Sequence, residues 1–430
     1  MICVERLLVN LKSLSDVDLG EEVPARHFVK RAEMRGKIMN DVVIVAACRT
    51  AIGRHGGALR SLSALELTIP VMQELIRRAG VDSETIDDVI WGCNYQKTYK
   101  ENNLARVAAV KSGMPVSVPG ITLHRNCTSS MSAVQMGYYQ IKCGEAHVIM
   151  AGGTDSMSNA SYTVEKMRWG SRLGHAEVRD SMWDSLTNLG IGPTMGMTAE
   201  NLADMYNISR EEQDELSFLS HQRAIRAIDE GRFREEIAPI EVKEKKKVTV
   251  VDTDEHPRRD TTVEALSQLK PAFKEGGTVT AGNSSGINDG SSGVILMSAK
   301  RANDLGLQPM AGIVSTATSG VNPDIMGIGP VPSTHKALEK AGMALDAMEL
   351  IEVNEAFAAQ YLACEKEMGL KREITNVNGS GIALGHPVGC TGTRIMTTLL
   401  YEMKKRGLRY GLATLCAGTG MGTAIVIERS

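Results

Sequence analysis

Cys127 stands where a nucleophile would be placed, in the run Asn-Cys-Thr-Ser-Ser between a short apolar segment and a helical pattern. Residues 121–123 are apolar enough to end a strand, and apolar residues three and four apart from Met131 to Ile141 predict an amphipathic helix. A cysteine at a helix N-terminus meets unpaired N–H groups and the positive end of the helix dipole, which stabilise a thiolate. The pattern therefore predicts a nucleophilic cysteine, with a small buried structural cysteine as the alternative.

Three later stretches place polar residues in or beside glycine-rich turns. Asn354 follows an apolar strand, His386 lies in a glycine-rich turn that Pro387 stiffens, and Cys416 begins the run Cys-Ala-Gly-Thr-Gly. Glycines let the backbone approach a ligand and turn N–H groups towards it. Together with Cys127, these stretches supply a nucleophile, a base, an amide and a second thiol, which is the set that covalent catalysis needs.

The composition is that of a globular protein, with 430 residues, 43% hydrophobic and 23% charged. The formal net charge of −3 gives no general attraction for nucleic acid or an anionic membrane, so we expect neither as a partner. No apolar run approaches the roughly 18 residues that a membrane span needs. The eight cysteines form no C-x-x-C pair and no metal-like cluster, so we expect reduced thiols, no metal and a cytoplasmic protein.

Strand-like segments alternate with helical ones along most of the chain, which predicts an α/β fold with mainly parallel strands. Residues 158–280 interrupt this alternation with loops rich in Ser, Asn and Gly, and one helix inside them begins at Ser209 with Glu212 in capping-box spacing. Segments 410–416 and 422–427 flank a short turn and should form a hairpin. Similar patterns on both sides of the interruption suggest two related halves. The other segments that carry these predictions are 42–47, 65–78, 88–91, 147–151, 293–298, 311–315 and 350–353.

The first 38 residues differ from the rest of the chain. They mix acidic and basic side chains, lack the apolar core of a signal peptide, and are too acidic for a transit peptide. The first convincing strand begins just after Met39. We therefore interpret Met39 as the natural start and residues 1–38 as an extension that is disordered or not native.

Longer motifs extend the pattern beyond single residues. The chain contains ACRTAIG at 47–53, AGGTDSMS at 151–158, MGMTAE at 195–200 and GNSSGINDG at 282–290. In these motifs and their order, the chain from about residue 39 to its end resembles the thiolase family of acyl-CoA C-acyltransferases, most closely its acetyl-CoA acetyltransferase members. The resemblance implies the thiolase fold, an α/β fold with two similar βαβαβαββ halves in a five-layered arrangement with an inserted loop domain.

The resemblance also implies a division of the chain and an activity. After the extension, a first half spans residues 39–157 and is completed by about 288–308, an inserted loop domain spans 158–287, and a second half spans 309–430. The implied activity is the reversible Claisen condensation of two acetyl-CoA to acetoacetyl-CoA and CoA, or thiolysis of a 3-ketoacyl-CoA. Both run by a ping-pong mechanism through an acyl-cysteine intermediate.

The resemblance assigns roles to individual residues. Cys127 matches the acyl-accepting nucleophile and His386 the residue that takes its proton, and an imidazolium–thiolate pair would lower the thiol pKa. Cys416 matches the second acid/base, which exchanges the α-proton of acetyl-CoA. His386 and Asn354 match one oxyanion hole, and the backbone N–H groups of Cys127 and Gly418 match the other. Residues matched to the acyl pocket or to substrate and CoA contacts are Ser285, Met195, Phe357, Phe273, Leu186 and Arg258.

Four positions depart from the residues usual in the family. Ser130 and Ser380 stand where Gly is usual, Asp155 replaces a Glu, and Thr194 stands where short-chain members often carry His. None of these changes removes a catalytic group. We expect Ser130 and Thr194 to alter the shape of the acyl pocket and hence the acyl preference.

The resemblance implies acyl-CoA and CoA as partners, no tightly bound cofactor, and a homotetramer or homodimer. One alternative is a longer-chain 3-ketoacyl-CoA thiolase of fatty-acid β-oxidation, and another is a non-catalytic thiolase-like scaffold subunit. Ketoacyl synthases and hydroxymethylglutaryl-CoA synthases also use a cysteine, but the pairing of Asn354 with Cys416 favours a thiolase. A serine hydrolase would use the G-x-S-x-G run at 282–286, which poor helix-forming residues follow.

Overall fold

The computed structural model describes residues 41–96, 101–244 and 247–429. The predicted extension, residues 1–38, and its boundary at Met39 lie outside the described residues. The strands are β1 (Val42–Arg49), β2 (Gly53–Arg54), β3 (Asp88–Gly92), β4 (Gly120–Leu123), β5 (Val148–Ser156), β6 (Tyr162–Val164), β7 (Val178–Asp180), β8 (Ile240–Glu244), β9 (Lys247–Val251), β10 (Asn288–Ser298), β11 (Ala311–Gly320), β12 (Leu350–Val353), β13 (Tyr410–Ala417) and β14 (Met421–Glu428). The α-helices are α1 (Ala64–Ala79), α2 (Leu104–Lys111), α3 (Ser129–Lys142), α4 (Ser181–Thr187), α5 (Met195–Tyr206), α6 (Arg210–Asp229), α7 (Val263–Ser267), α8 (Ala299–Asp304), α9 (Pro330–Ala341), α10 (Ala358–Met368), α11 (Gly381–Leu384) and α12 (Thr391–Arg406).

The sheet repeats one strand order twice. Ten strands pair in the order β12-β13-β14-β11-β1-β10-β5-β3-β4, with β2 paired to β10. The ladder between β1 and β11 is two residue pairs long, so the sheet divides there into two sets. In each set the first strand lies beside the last, β1 beside β10 and β11 beside β14. The strands β5, β3 and β4 follow in the first set, and β13 and β12 follow in the second. Thr375 bridges to Ile351 of β12 and takes the place in the second set that β4 has in the first. The two related halves are therefore present.

Strand direction agrees with the prediction in part. The helix-connected strands pair parallel, β3 with β4 and β5, and β12 with β13. The prediction of mainly parallel strands is wrong for the middle of the sheet, where β10 pairs antiparallel with β1 and β5, and β14 with β11 and β13. A parallel neighbour needs a long crossover, whereas β14 follows β13 through a short turn. That turn closes the predicted hairpin.

Alternate residues of β1 face different cores, because successive side chains of a strand point to opposite faces. Val42 and Ile44 belong to a middle core with α3 and α12, which also contains residues from both halves of the sheet. Val43 and Val45 pack with α1 and α2 on the outer face, and α9 and α10 cover the outer face of the second half. Three helical layers thus enclose two half-sheets, which is the predicted five-layered arrangement.

The inserted segment lies between β5 and β10, which are neighbours in the sheet. It contains the hairpins β6–β7 and β8–β9 and the helices α4 to α7. Ser209 and Glu212 form the predicted capping box at the start of α6, where each satisfies a backbone N–H of the first turn. The exact domain bounds stay a prediction. In the part of the chain that the structure describes, no helix is long and apolar enough to cross a membrane.

Candidate active site

Cys127 lies in a tight turn between β4 and α3, two residues before the helix begins. Asn126 has a left-handed φ of 45°, a conformation that Asn tolerates better than most residues other than glycine. Its side-chain amide donates to the Gly418 carbonyl at 2.7 Å. The turn that carries Cys127 is therefore fastened to the turn between β13 and β14.

Burial favours the protonated form of the Cys127 thiol at neutral pH. Burial raises the pKa of Cys127 to about 11, although the backbone N–H groups of Gly418 and of Cys127 itself lie at the sulfur and favour the thiolate. The negative charge of the nearby Asp155 carboxylate raises the pKa of Cys127 by a smaller amount. The shift is opposite to the one that the helix N-terminus predicts, because desolvation outweighs the N–H donors. These two N–H groups are the ones that the resemblance assigns to an oxyanion hole.

His386 is buried in the turn between α11 and α12. Its backbone N–H donates to Asn288 Oδ1 at 2.9 Å, and its Nδ1 lies 2.6 Å from Thr391 Oγ1. Its Nε2 is buried and has no hydrogen-bond partner among the described residues. Burial and then the positive charge of Arg394 lower the pKa of His386 to about 3, so the predicted imidazolium is absent at neutral pH. A neutral imidazole with a free nitrogen has the state that a general base requires.

Asn354 is fully buried immediately after β12. Its backbone N–H donates to the Thr414 carbonyl on the neighbouring β13 at 3.1 Å, which fixes its position. Its Nδ2 lies 3.5 Å from His386 Nδ1, and its Oδ1 has no hydrogen-bond partner among the residues described. Buried polar atoms are normally paired, so unpaired atoms on two adjacent side chains indicate a place where a ligand or water binds.

Cys416 lies fully buried near the end of β13, opposite Gly422. Burial raises its pKa well above the ordinary value, and the proximity of the Cys127 thiol acts in the same direction. Met326 and Ala356 pack around it. The structure therefore brings the two thiols close together at the end of the central strands.

Three residues matched to the acyl pocket or to substrate contacts lie on one side of these thiols. Met195 and Phe357 pack against the cluster that contains Cys416, and Phe273 meets Phe357 edge to face with ring centroids 6.2 Å apart. A Cβ built on Gly418 would lie 3.3 Å from the sulfur of Met195, so glycine keeps this wall close to the N–H donor. Met195, Phe357 and Phe273 thus form a single apolar wall.

The remaining predicted contacts lie around this wall. The Ser285 backbone N–H donates to the Ala356 carbonyl at 2.9 Å, which places Ser285 beside Phe357. Leu186 belongs to a separate apolar cluster with Met157 and Met182. Arg258 lines a cleft of about 610 Å³ that extends to Gly286, next to Ser285. The other charged or titratable residues of this cleft are Arg54, His55, Glu255, His256, Arg259 and Asp260.

Several polar residues that hold the site in place have no role in the predictions from sequence. Asn288 donates from Nδ2 to the Gly53 carbonyl at 3.0 Å while its Oδ1 holds His386. Asn288 belongs to the GNSSGINDG motif, so the motif could have indicated that this residue supports the site. Asp155, noted only as a departure, accepts the N–H groups of Asn94 and Gly389. The sequence around Thr391 did not predict a contact with His386, since a threonine at the start of a helix is common.

The departures from the family pattern have mostly local roles. Ser130 is fully buried, and its Oγ donates to the Cys390 carbonyl at 3.1 Å and accepts the Thr393 N–H at 3.0 Å. It therefore faces α12, and the prediction that it shapes the acyl pocket is wrong. Thr194 caps α5 next to Met195, and Ser380 donates to the Val353 carbonyl at 3.0 Å.

The serine hydrolase alternative does not fit the structure. Ser284, the serine of the G-x-S-x-G run, donates to the Thr280 carbonyl at 2.6 Å. The strand β10 begins at Asn288, where a nucleophile elbow would require a helix.

Comparisons with known proteins agree with this fold and site. The model of the thiolase N-terminal domain matches residues 42–300, and that of the thiolase C-terminal domain matches 307–429. The acetyl-CoA acetyltransferase of Syntrophomonas wolfei is 49% identical over 393 residues, which cover 90% of this chain and 99% of that protein. The acetyl-CoA acetyltransferase of Escherichia coli K12 is 48% identical and covers 91% of this chain and 100% of its own.

Comparison with solved structures indicates the same family. The Bacillus anthracis acetyl-CoA acetyltransferase superposes with a TM-score of 0.89 at 50% identity, covering 91% of this chain and 99% of its own. Human mitochondrial 3-ketoacyl-CoA thiolase superposes with a TM-score of 0.88 at 43% identity, covering 92% of this chain and all of its own. The two half-sheets with a shared middle layer of helices are thus the thiolase fold. The chain belongs to the thiolase family.

Proposed function

We propose that this protein is an acetyl-CoA C-acetyltransferase, which condenses two acetyl-CoA reversibly to acetoacetyl-CoA and CoA through an acyl group on Cys127. The observation that carries the proposal is the pair of backbone N–H groups, from Gly418 and Cys127, at the Cys127 sulfur. Preorganised donors at that position stabilise the oxyanion of acyl transfer, and losing one such donor typically costs about 3 kcal/mol in activation free energy. The relatives named acetyl-CoA acetyltransferase support the substrate.

In the thiolysis direction, Cys127 Sγ attacks the 3-keto carbon as its proton moves to His386 Nε2. The tetrahedral oxyanion is held by the Cys127 and Gly418 N–H groups. The bond between C2 and C3 then breaks, and the enolate oxygen faces His386 Nε2–H and Asn354. Cys416 gives its proton to C2, which releases acetyl-CoA.

The second half-reaction restores both thiols. The sulfur of free CoA attacks the acyl carbon, and its proton returns to the Cys416 thiolate. As the bond to Cys127 breaks, His386 gives its proton back to that sulfur. The condensation is this sequence in reverse, with Cys416 as the base that removes the α-proton. The raised pKa of the buried Cys416 suits a strong base towards carbon once it is deprotonated.

The apolar wall of Met195, Phe357 and Phe273 suits an aliphatic acyl group, and the relatives named acetyl-CoA acetyltransferase favour a short one. The similarity to a human mitochondrial 3-ketoacyl-CoA thiolase makes longer 3-ketoacyl-CoA the second candidate substrate. Relative kcat/KM for acetoacetyl-CoA and 3-ketohexadecanoyl-CoA separates the two. A preference for the longer substrate would replace the acetyl assignment and keep the reaction type.

The direct test is peptide mass spectrometry after incubation with acetyl-CoA. We expect an acetyl group on the Cys127 peptide that free CoA removes, and no adduct in Cys127→Ala. If Cys127 stays unmodified by both acetyl-CoA and longer 3-ketoacyl-CoA, the protein is a non-catalytic subunit.

The role of Cys416 has its own test. Cys416→Ser should reduce exchange of the acetyl-CoA methyl protons more than acetylation of Cys127. An equal loss in both would contradict the role of Cys416 as the second acid/base.

A homotetramer, or a homodimer, is our proposal for the assembly. Exposed apolar side chains lie at Ile121 on the edge strand β4 and at Tyr139 of α3, where a second copy could extend the sheet. A second group of exposed apolar side chains contains Trp169 and Leu173, which lie in the segment that connects β6 to β7. Light scattering of the intact protein and of Trp169→Ser with Leu173→Ser tests this, with the double variant expected to fall from tetramer to dimer.

We also propose that the protein acts in the cytoplasm. The mechanism needs two free thiols. Within the described residues, no disulfide joins the cysteines, which are Cys48, Cys93, Cys127, Cys143, Cys364, Cys390 and Cys416. Fractionation of cells that express the protein, followed by immunoblotting, checks the compartment.

A further inference from the structure

The side chain of Thr391 touches His386 on the face away from the free Nε2. Thr391 is fully buried at the first position of α12, and its Oγ1 lies 2.6 Å from His386 Nδ1. The same Oγ1 lies 2.7 Å from the carbonyl oxygen of Pro387. The hydroxyl is therefore within hydrogen-bond distance of two groups at once.

Proton counting decides the direction of both bonds. A hydroxyl has one hydrogen to donate, and a carbonyl oxygen can accept but never donate. The Thr391 hydrogen must therefore point at the Pro387 carbonyl, since two oxygens 2.7 Å apart with no hydrogen between them would repel. The lone pairs of Thr391 Oγ1 then face His386 Nδ1, so Nδ1 must carry the hydrogen of this bond.

Asn354 does not change this assignment. Its Nδ2 is 3.5 Å from His386 Nδ1, at the outer limit of a hydrogen bond, whereas Thr391 is 2.6 Å away. A neutral imidazole carries one hydrogen on its two nitrogens. With that hydrogen on Nδ1, Nε2 has a lone pair, and Nε2 is the nitrogen that has no hydrogen-bond partner among the described residues.

We propose that Thr391 is a positioning residue that holds neutral His386 in the tautomer with hydrogen on Nδ1, so that Nε2 is ready to take the Cys127 proton. This inference rests on the proposed acyl-transfer function. As the bond from Cys127 Sγ to the substrate carbon forms, the thiol proton moves to Nε2, and Nδ1–H stays bonded to Thr391. The opposite tautomer would present an N–H to the thiol and could not accept its proton.

The substitution that tests the proposal is Thr391→Val, which keeps the shape of the side chain and removes its hydroxyl. We expect kcat for acetyl transfer to fall about 10- to 100-fold with KM for acetyl-CoA nearly unchanged, by analogy with other partners that orient a catalytic or ligating histidine. Thr391→Ser keeps the hydroxyl and should stay within about threefold. The matched control is Thr397→Val on the same helix, whose buried hydroxyl has no partner among the described residues.

A second measurement needs no activity. Solid-state ¹⁵N spectra of histidine-labelled protein, assigned by difference from His386→Asn, report which nitrogen carries hydrogen. We expect hydrogen on Nδ1 in the unmodified protein, in Thr391→Ser and in Thr397→Val, and loss of that single tautomer in Thr391→Val. Hydrogen on Nε2 in the unmodified protein would overturn the inference, as would full kcat in Thr391→Val.

These two measurements separate the inference from the proposed function. If the unmodified protein transfers no acetyl group, the proposed function fails while the spectra still decide the tautomer. If Thr391→Val does not fold, the spectra of the unmodified protein and of Thr391→Ser decide alone.

Discussion

The carboxylate of Asp155 accepts the backbone N–H of Gly389 at 2.5 Å, across 234 residues of sequence. Asp155 lies in β5 of the first half, and Gly389 lies three residues after His386 in the second. The same carboxylate accepts the backbone N–H groups of Asn94 and Tyr95 at 2.9 and 3.1 Å. One side chain therefore ties the turn that carries His386 to the first half of the sheet.

Asp155→Asn should weaken this connection, because an amide has one acceptor oxygen and its NH₂ group would face N–H donors. We expect the free energy of unfolding to fall by about 2 kcal/mol and acetyl transfer by more than tenfold. Guanidinium denaturation and steady-state kinetics measure the two effects. Asp184→Asn, which breaks an accessible ion pair with Arg179, is the control and should cost clearly less than Asp155→Asn. Equal losses in both variants would contradict this account.

The protonated state of Cys127 leads to a second prediction. With burial raising its pKa to about 11, the thiolate fraction should grow about tenfold for each pH unit between 7 and 10. The rate of iodoacetamide labelling of the Cys127 peptide, followed by mass spectrometry, should rise in proportion. The exposed Cys143 in the same sample provides the internal reference. A labelling rate that is already constant above pH 7 would indicate a thiolate in the free protein.

Ser130 should matter for stability because it joins the helix after Cys127 to the helix after His386. Ser130→Ala loses the bond to the Cys390 carbonyl and leaves the buried Thr393 N–H without that partner. We expect the free energy of unfolding to fall by about 1 to 3 kcal/mol in urea denaturation. Ser132→Ala on the same helix loses a single 3.2 Å contact with Arg125 and should cost less. A larger effect at Ser132 than at Ser130 would refute the joining role.

His221 gives a pH dependence of stability with a defined sign. Burial, then the positive charges of His256 and Arg258, lower the pKa of His221 from 6.5 to about 4. Between these values the unfolded chain binds a proton that the folded protein does not. The free energy of unfolding therefore falls as the pH falls from about 6.5 to 4, by up to about 1.4 kcal/mol per pH unit from this residue.

The corresponding variant is His221→Gln, whose side-chain oxygen can still accept the Arg258 N–H that His221 Nδ1 accepts at 3.2 Å. Denaturation curves at pH 7.5, 6.0, 5.0 and 4.5 should show a shallower pH slope for the variant. The stability of the unmodified protein relative to the variant should therefore fall as the pH falls from 7.5 to 4.5. Identical slopes would show that His221 does not titrate as its burial requires.

Local pattern and motif were enough to identify several parts of this protein. The turn at Cys127, the capping box of Ser209 and Glu212 and the β13–β14 hairpin depend on residues that are neighbours in the chain, so their spacing alone predicts them. The thiolase motifs added the family and fold. The proximity of Cys127 to Cys416, and that of His386 to Asn354, then followed from that fold.

Other properties depend on contacts between residues far apart, which no local pattern contains. Cys127 is a thiol because the folded protein removes water around it, and desolvation outweighs the N–H donors that its turn supplies. Ser130 faces α12 because the middle layer packs two helices from different halves together. The hydrogen on His386 is decided by Thr391 and Pro387 through bond lengths that exist only once the turn has formed. The sequence by itself determined which groups are present and on which elements they lie, and tertiary packing decided their protonation, their partners and the direction of each hydrogen bond.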